Sequence, residues 1–185
     1  MSSARLLYIA SIGLLLAGCG GQDQPPAGEQ AYEQYFAEKL PAPKDRSVRL
    51  AADPMRERFA PGSAVELNVM ISNMGKRRRA FPIGVETQAG CVHTFFFALV
   101  RDEAGRIERV PFTTDEAPGP VVWLELDQYG GHTEVIPLGE HYVFEEPGPY
   151  RVVLFYSIEE GQVPGDRTPE WTGTVWTSPI HITIE

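Results

Sequence analysis

The 185-residue chain predicts an all-β fold, an antiparallel β-sandwich preceded by a short N-terminal helix. Three observations carry this. Beyond residue 46, apolar residues alternate with polar ones at a period of two, the pattern of strands with one buried face. Glycine and proline, 18 and 16 in number, punctuate these runs too densely for long helices. No segment after Leu40 spaces its apolar residues by three and four, so sheets have only one another to pack against.

The elements follow in chain order. Met1–Arg5 carries one basic side chain, and Leu6–Ala17 is a mostly apolar run of about 12 residues. That length suits an export signal and is too short to span a bilayer as a permanent helix. Leu16-Ala17-Gly18-Cys19 closes the run and resembles the lipobox of bacterial lipoproteins. The resemblance implies that residues 1–18 are a signal peptide, cut before Cys19, and that the Cys19 thiol carries a diacylglyceryl group beside an N-acyl chain. One acyl chain anchors only marginally, whereas several hold a protein to the membrane durably. Gly20 stands where the inner-membrane retention signal of many lipoproteins has Asp, so an outer-membrane destination is favoured.

Residues 19–45 form the link to the domain. Gly20–Gln30 is Gly, Pro, Gln and acid, a flexible tether reaching roughly 20 Å by random-coil scaling. Ala31–Leu40 sets Tyr32, Tyr35, Phe36 and Leu40 at helical spacing, which fits a short docking helix or a partly ordered arm. Pro41 and Pro43 end it.

Residues 46–185 then read as strands. Val65, Leu67, Val69 and Ile71 alternate with polar neighbours between the turns Pro61-Gly62 and Asn73-Met74-Gly75. Val92–Arg101 is aromatic and β-branched on both faces, which predicts a central strand covered on both sides. Asp102–Gly105 turns it into Ile107–Pro111 as a hairpin partner. Further strands are expected at Val121–Leu126, Thr133–Leu138, His141–Glu145 and Tyr150–Ile158, the last with Tyr150, Val152, Leu154, Tyr156 and Ile158 on one side. Thr172–Thr177 and Ile180–Ile184 close the series, with Pro179 between them demanding an edge or a bulge.

Phe59-Ala60-Pro61-Gly62 with the strand ending at Ser72-Asn73, then Leu138-Gly139-Glu140, then Pro147-Gly148-Pro149-Tyr150-Arg151-Val152, resembles bacterial immunoglobulin-like domains over roughly Arg46–Glu185. The resemblance extends to β-sandwich inhibitors related to the bacterial intracellular proteinase inhibitor. It implies an immunoglobulin-like sandwich in which Tyr150 acts as a tyrosine corner, its hydroxyl bonded to nearby backbone. Val152 falls where an antibody domain has its second Cys, so an antibody-type domain is excluded.

Composition narrows the function. The net charge is −9, and removing the signal segment takes away Arg5 and no acid. Such a chain is a poor ligand for nucleic acid and for anionic headgroups. With Cys19 acylated, Cys91 is left alone and no internal disulfide forms. Signatures for a nucleophile elbow, a zinc protease helix and a phosphate loop are missing, and His93, His132, His141 and His181 are scattered. Cys91-x-His93 offers copper or zinc two ligands on one strand face, but no third stands near it in sequence.

Two binding candidates remain. Lys76-Arg77-Arg78-Arg79 fits an acidic partner or an envelope phosphate, or a solvated turn that discourages strand pairing. Glu159–Trp171 is a long loop, and Trp171 and Trp176 have opposite parity, so at most one faces the core without a bulge. The outward one is a candidate contact or lies under the N-terminal segment. Asp115–Pro120 is an irregular loop with no assignable chemistry. Arg77, Arg78, Arg79 and Trp171 are thus the candidate contacts. The expectation is a non-enzymatic, cofactor-free lipoprotein of the cell envelope, held to the membrane through Cys19 and binding a protein or envelope component. A proteinase inhibitor is the alternative, and a metal-binding periplasmic protein a remote one.

Overall fold

The computed structural model describes residues 32–37, 43, 46–114, 119–165 and 167–185. The expected signal segment, Cys19 and the expected tether lie outside the described residues, as do Leu40 and residues 115–118. In chain order the strands are β1 (Val48–Pro54), β2 (Arg58–Phe59), β3 (Leu67–Asn73), β4 (Arg79–Thr87), β5 (Gly90–Val92) and β6 (Phe96–Arg101). They continue with β7 (Ile107–Pro111), β8 (Val121–Leu126), β9 (Gly131–Ile136), β10 (Gly148–Ile158), β11 (Gly173–Trp176) and β12 (Ile180–Ile184).

These strands build an all-β sandwich from three sheets. One runs β1-β3-β9, a second β2-β12-β10-β6-β7 with β11 also on β10, and a third β5-β4-β8. Pairing is antiparallel except for the two-residue parallel match of β2 with β12. The alternation read in the sequence sets the burial: β3 is buried at every second position, and Tyr150, Val152, Leu154, Tyr156 and Ile158 of β10 all enter one core. That core takes Leu50 and Ile71 from the first sheet, Ala98 and Val100 from the second, and Phe81 and Ile83 from the third.

β6 is the central strand the sequence predicts, flanked by β10 and β7. Its Ala98 and Val100 face the main core, while Phe97 and Leu99 face outward into a second cluster with Val153 and Phe155 of β10. The hairpin into β7 turns on Gly105, whose φ of 85° suits glycine, and its N–H bonds Asp102 O at 3.1 Å.

Three expectations are corrected. Val92–Arg101 is not one strand: Thr94 N–H reaches back to Val92 O and Phe96 N–H to His93 O, both at 2.8 Å. The chain leaves the third sheet there and enters the second, because His93 is buried rather than alternating outward. His141–Glu145 is no strand either. A 3-10 turn at Leu138–Glu140 precedes it, His141 and Tyr142 N–H both bond Leu138 O at 3.0 Å, and Phe144 packs edge-on against Tyr142 and Tyr150. The N-terminal helix is a single 3-10 turn, Glu33–Phe36, with Tyr35 and Phe36 buried.

Pro179 does interrupt the last strand. β10 pairs with β11 from Phe155 to Ile158 and with β12 from Gly148 to Val152, so both occupy one edge in succession. Thr177 bridges the gap: its N–H donates to Leu154 O at 3.0 Å, and its Oγ1 accepts from Leu154 N at 3.1 Å. The buried backbone at the break is thereby satisfied. Tyr150 donates its hydroxyl to Glu146 O, four residues upstream, at 2.9 Å, as a tyrosine corner does.

Candidate functional site

The basic run lies in the turn between β3 and β4, and two of its four side chains, Arg78 and Arg79, are engaged within the protein. Arg78 meets Glu125 at 2.5 Å and Asp127 at 3.8 Å, and Arg79 Nη1 donates to Ser47 Oγ at 2.6 Å. Lys76 and Arg77 are exposed. The turn is anchored by Asn73, which the sequence marks as a turn residue but not as a buried amide. Its Nδ2 donates to Arg77 O, Leu126 O and Asp127 O, and its Oδ1 accepts from Gly75 N at 3.0 Å. An Asn ending an apolar alternation is the one signal that could have marked it.

Trp171 is in the core, 5% exposed, stacked on Tyr156 with centroids 5.7 Å apart. A ring so covered offers no surface to a partner. The loop before it is tied down by Val163, which is buried, and by Arg167, which lies 4.6 Å over the Trp123 ring and 3.1 Å from Glu125. Trp176 takes the opposite face, as its parity requires, and lies beneath the N-terminal turn.

Cys91 and His93 end up near Glu134 of β9. His93 Nε2 lies 3.1 Å from Glu134 Oε1. The His93 ring holds the Glu134 carboxyl below its ordinary range. Burial first, then Glu134 and Glu86, push the Cys91 thiol up to about 11. A thiol so raised is mostly protonated at neutral pH, which weakens it as a nucleophile. Among the described residues no three His, Cys, Asp or Glu side chains are placed to hold a metal ion.

Two of the surface clefts among the described residues are large. One, of about 630 Å³, opens beside the β6–β7 hairpin; Arg106 crosses it between Asp102 at 2.5 Å and Glu146 at 3.5 Å, with Tyr142 and Val143 on its wall. The other, of about 570 Å³, lies between β1 and β11. Leu50, Val175 and Trp176 line it, and Arg46 and Arg49 flank it.

The N-terminal turn is the other feature that composition alone could not place. It lies across the outer face of the second sheet as a strap. Tyr35 meets Phe155 and Trp176 edge-on at 5.0 and 5.2 Å, Phe97 stacks on Phe155 at 4.6 Å, and Glu33 pairs with Arg101 at 3.2 Å. Aromatic pairs of this geometry contribute about 0.5–1.5 kcal/mol each beyond area burial.

No family profile and no curated protein matches the sequence. Among solved structures, the chain is similar to the β-glucosidase EmGH1 of Erythrobacter marinus, with 14% identity and a TM-score of 0.38, covering 75% of this chain and 15% of that one. It is similar also to the sporulation control protein Spo0M of Bacillus subtilis, with 10% identity and a TM-score of 0.39, covering 76% and 50%. A β-glucosidase of Listeria innocua gives 10% identity and a TM-score of 0.33, covering 72% and 16%. The chain thus spans half or less of the length of these proteins, and likeness at this level says nothing of activity.

Proposed function

We propose that the chain is a lipid-anchored protein of the bacterial cell envelope, with a non-enzymatic β-sandwich that binds a protein or envelope component. The observation that carries this reading is Leu16-Ala17-Gly18-Cys19 directly behind a short apolar run. Lipid on Cys19 would hold the domain at a membrane, with residues 20–31 as the spacer. Among the described residues no helix is long and apolar enough to cross a membrane, so anchoring falls to the N-terminus in this reading.

Labelling cells with radioactive palmitate tests the anchor: the native chain takes up label and a Cys19→Ser variant takes up none. Capture of envelope components on the domain tests the module. Stoichiometric inhibition of a proteinase would instead transfer the reading to an inhibitor.

A further inference from the structure

The net charge of −9 conceals an uneven distribution. On the outer face of the second sheet, Arg101 stands opposite Arg151, and Arg151 opposite His181, across three adjacent strands. All three point outward, because Val100, Val152, Ile180 and Ile182 beside them point into the core. Like charges directly opposite on neighbouring strands, here Arg101 and Arg151, are destabilising, so the pair calls for anions. Glu33 of the strap supplies one, at 3.2 Å from Arg101. Arg151 is exposed and meets no carboxylate among the described residues, and Arg109 lies 4.4 Å over the Phe97 ring with its charge likewise unmatched. Elsewhere Arg58, Arg78, Arg106 and Arg167 are paired with acids, while Lys76 and Arg77 of the basic turn, like Arg109 and Arg151, meet none among the described residues.

This basic face is also where the strap docks, and the strap is the near end of the tether. Only residues 20–31 separate Cys19 from Tyr32, a reach of roughly 20 Å. We propose that this face rests on the phosphate headgroups of the leaflet that holds the Cys19 lipid, with Arg101, Arg109 and Arg151 as its contacts. The proposal rests on acylation of Cys19, which fixes which surface the face meets. An arginine close to an anionic surface raises partitioning about fivefold, so Arg109 and Arg151 give roughly 25-fold, Arg101 being already paired with Glu33. With only residues 20–31 between the lipid and the strap, the patch is held at a high effective concentration at the membrane, at which so weak a patch is substantially occupied. The apparent contradiction with an acidic chain disappears, because the Debye length of about 8 Å lets a local patch act without the rest of the surface.

The test uses unlipidated residues 20–185, which keep every described residue, so that its outcome is independent of whether Cys19 is acylated. Sedimentation is measured with vesicles of phosphatidylcholine and with vesicles rich in phosphatidylglycerol. Binding is expected only to the second, weakening as salt rises, and falling about tenfold or more in R109Q/R151Q. Thermal melting checks the fold of that variant, which should melt in one transition close to the parent's, relief of the Arg101–Arg151 repulsion offsetting loss of the Arg109 contact with the Phe97 ring. Equal binding to both vesicles, none to either, or an unaffected R109Q/R151Q overturns the proposal. So does loss in K76S/R77S instead, which would move the phosphate contact to the basic turn, or retention of an acidic envelope protein by the face with no vesicle bound.

Discussion

Replacing Tyr156 by Phe removes one oxygen from the centre of the fold. That hydroxyl donates to Pro82 O at 2.9 Å, and the residue is fully buried. Pro82 sits where the register of β4 on β8 shifts, so the bond ties the second sheet to the third beside a bulge. The ring stays packed against Trp171 and Phe96, and only the bond is lost. A net hydrogen bond contributes about 0.5–1.5 kcal/mol, and stranding a buried acceptor brings the loss to about 1–3 kcal/mol. For a domain of this size the melting temperature should fall by roughly 3–10 °C, read by circular dichroism. Burial also holds the phenol well above its ordinary value of 10.0. A folded-state value raised above the unfolded one gives stability that is full below about pH 10 and lost as pH rises beyond it. The variant should therefore lose less stability than the parent under alkali. An unchanged melting temperature at neutral pH, or the same alkaline decline in both proteins, would refute the buried bond.

Four further outcomes are expected. Trp171→Ala should cost about 3–5 kcal/mol in urea denaturation, where a surface contact residue would stay within about 0.5 kcal/mol. Gly84→Ala should destabilise by about 1–3 kcal/mol or more, since an added Cβ would lie 2.1 Å from Val92 O, which is backbone and cannot yield. Cys91, with its thiol raised from 9.0 to about 11, should react with iodoacetamide roughly 100-fold more slowly than an ordinary thiol at about pH 8. Burial holds His141 below 6.5 despite Glu140, so its stabilising share is full above that pH and lost as pH falls; His141→Phe, keeping the stack on Phe112, should flatten that acid decline in urea midpoints.

Local pattern made much of the fold legible. The alternation of β3 and β10 named their inward residues, Asp102–Gly105 named a hairpin, and the parity of Trp171 and Trp176 put them on opposite faces. What escaped was decided by contacts distant in sequence. Nothing in Cys91–Phe97 marks a break between sheets, because the break follows from His93 turning in toward Glu134 some forty residues later. His141–Glu145 reads as a strand, yet Leu138 O captures two successive N–H groups and Phe112 stacks on the His141 ring. The strap, too, depends on Phe97, Phe155 and Trp176 presenting a common face, which follows only from sheet register. For the candidate contacts, residue type was a poor guide: Trp171 went to the core, and the arginines left without carboxylates on β7 and β10 belong to no run in the sequence.

The central claim is a chemical statement about one residue, and the mass of the N-terminal fragment of the protein taken from its native membrane tests it most directly. A fragment beginning at Cys19 and heavier by a diacylglyceryl group and an acyl chain is the predicted result. A fragment beginning at Met1, or a bare thiol at Cys19, would contradict it.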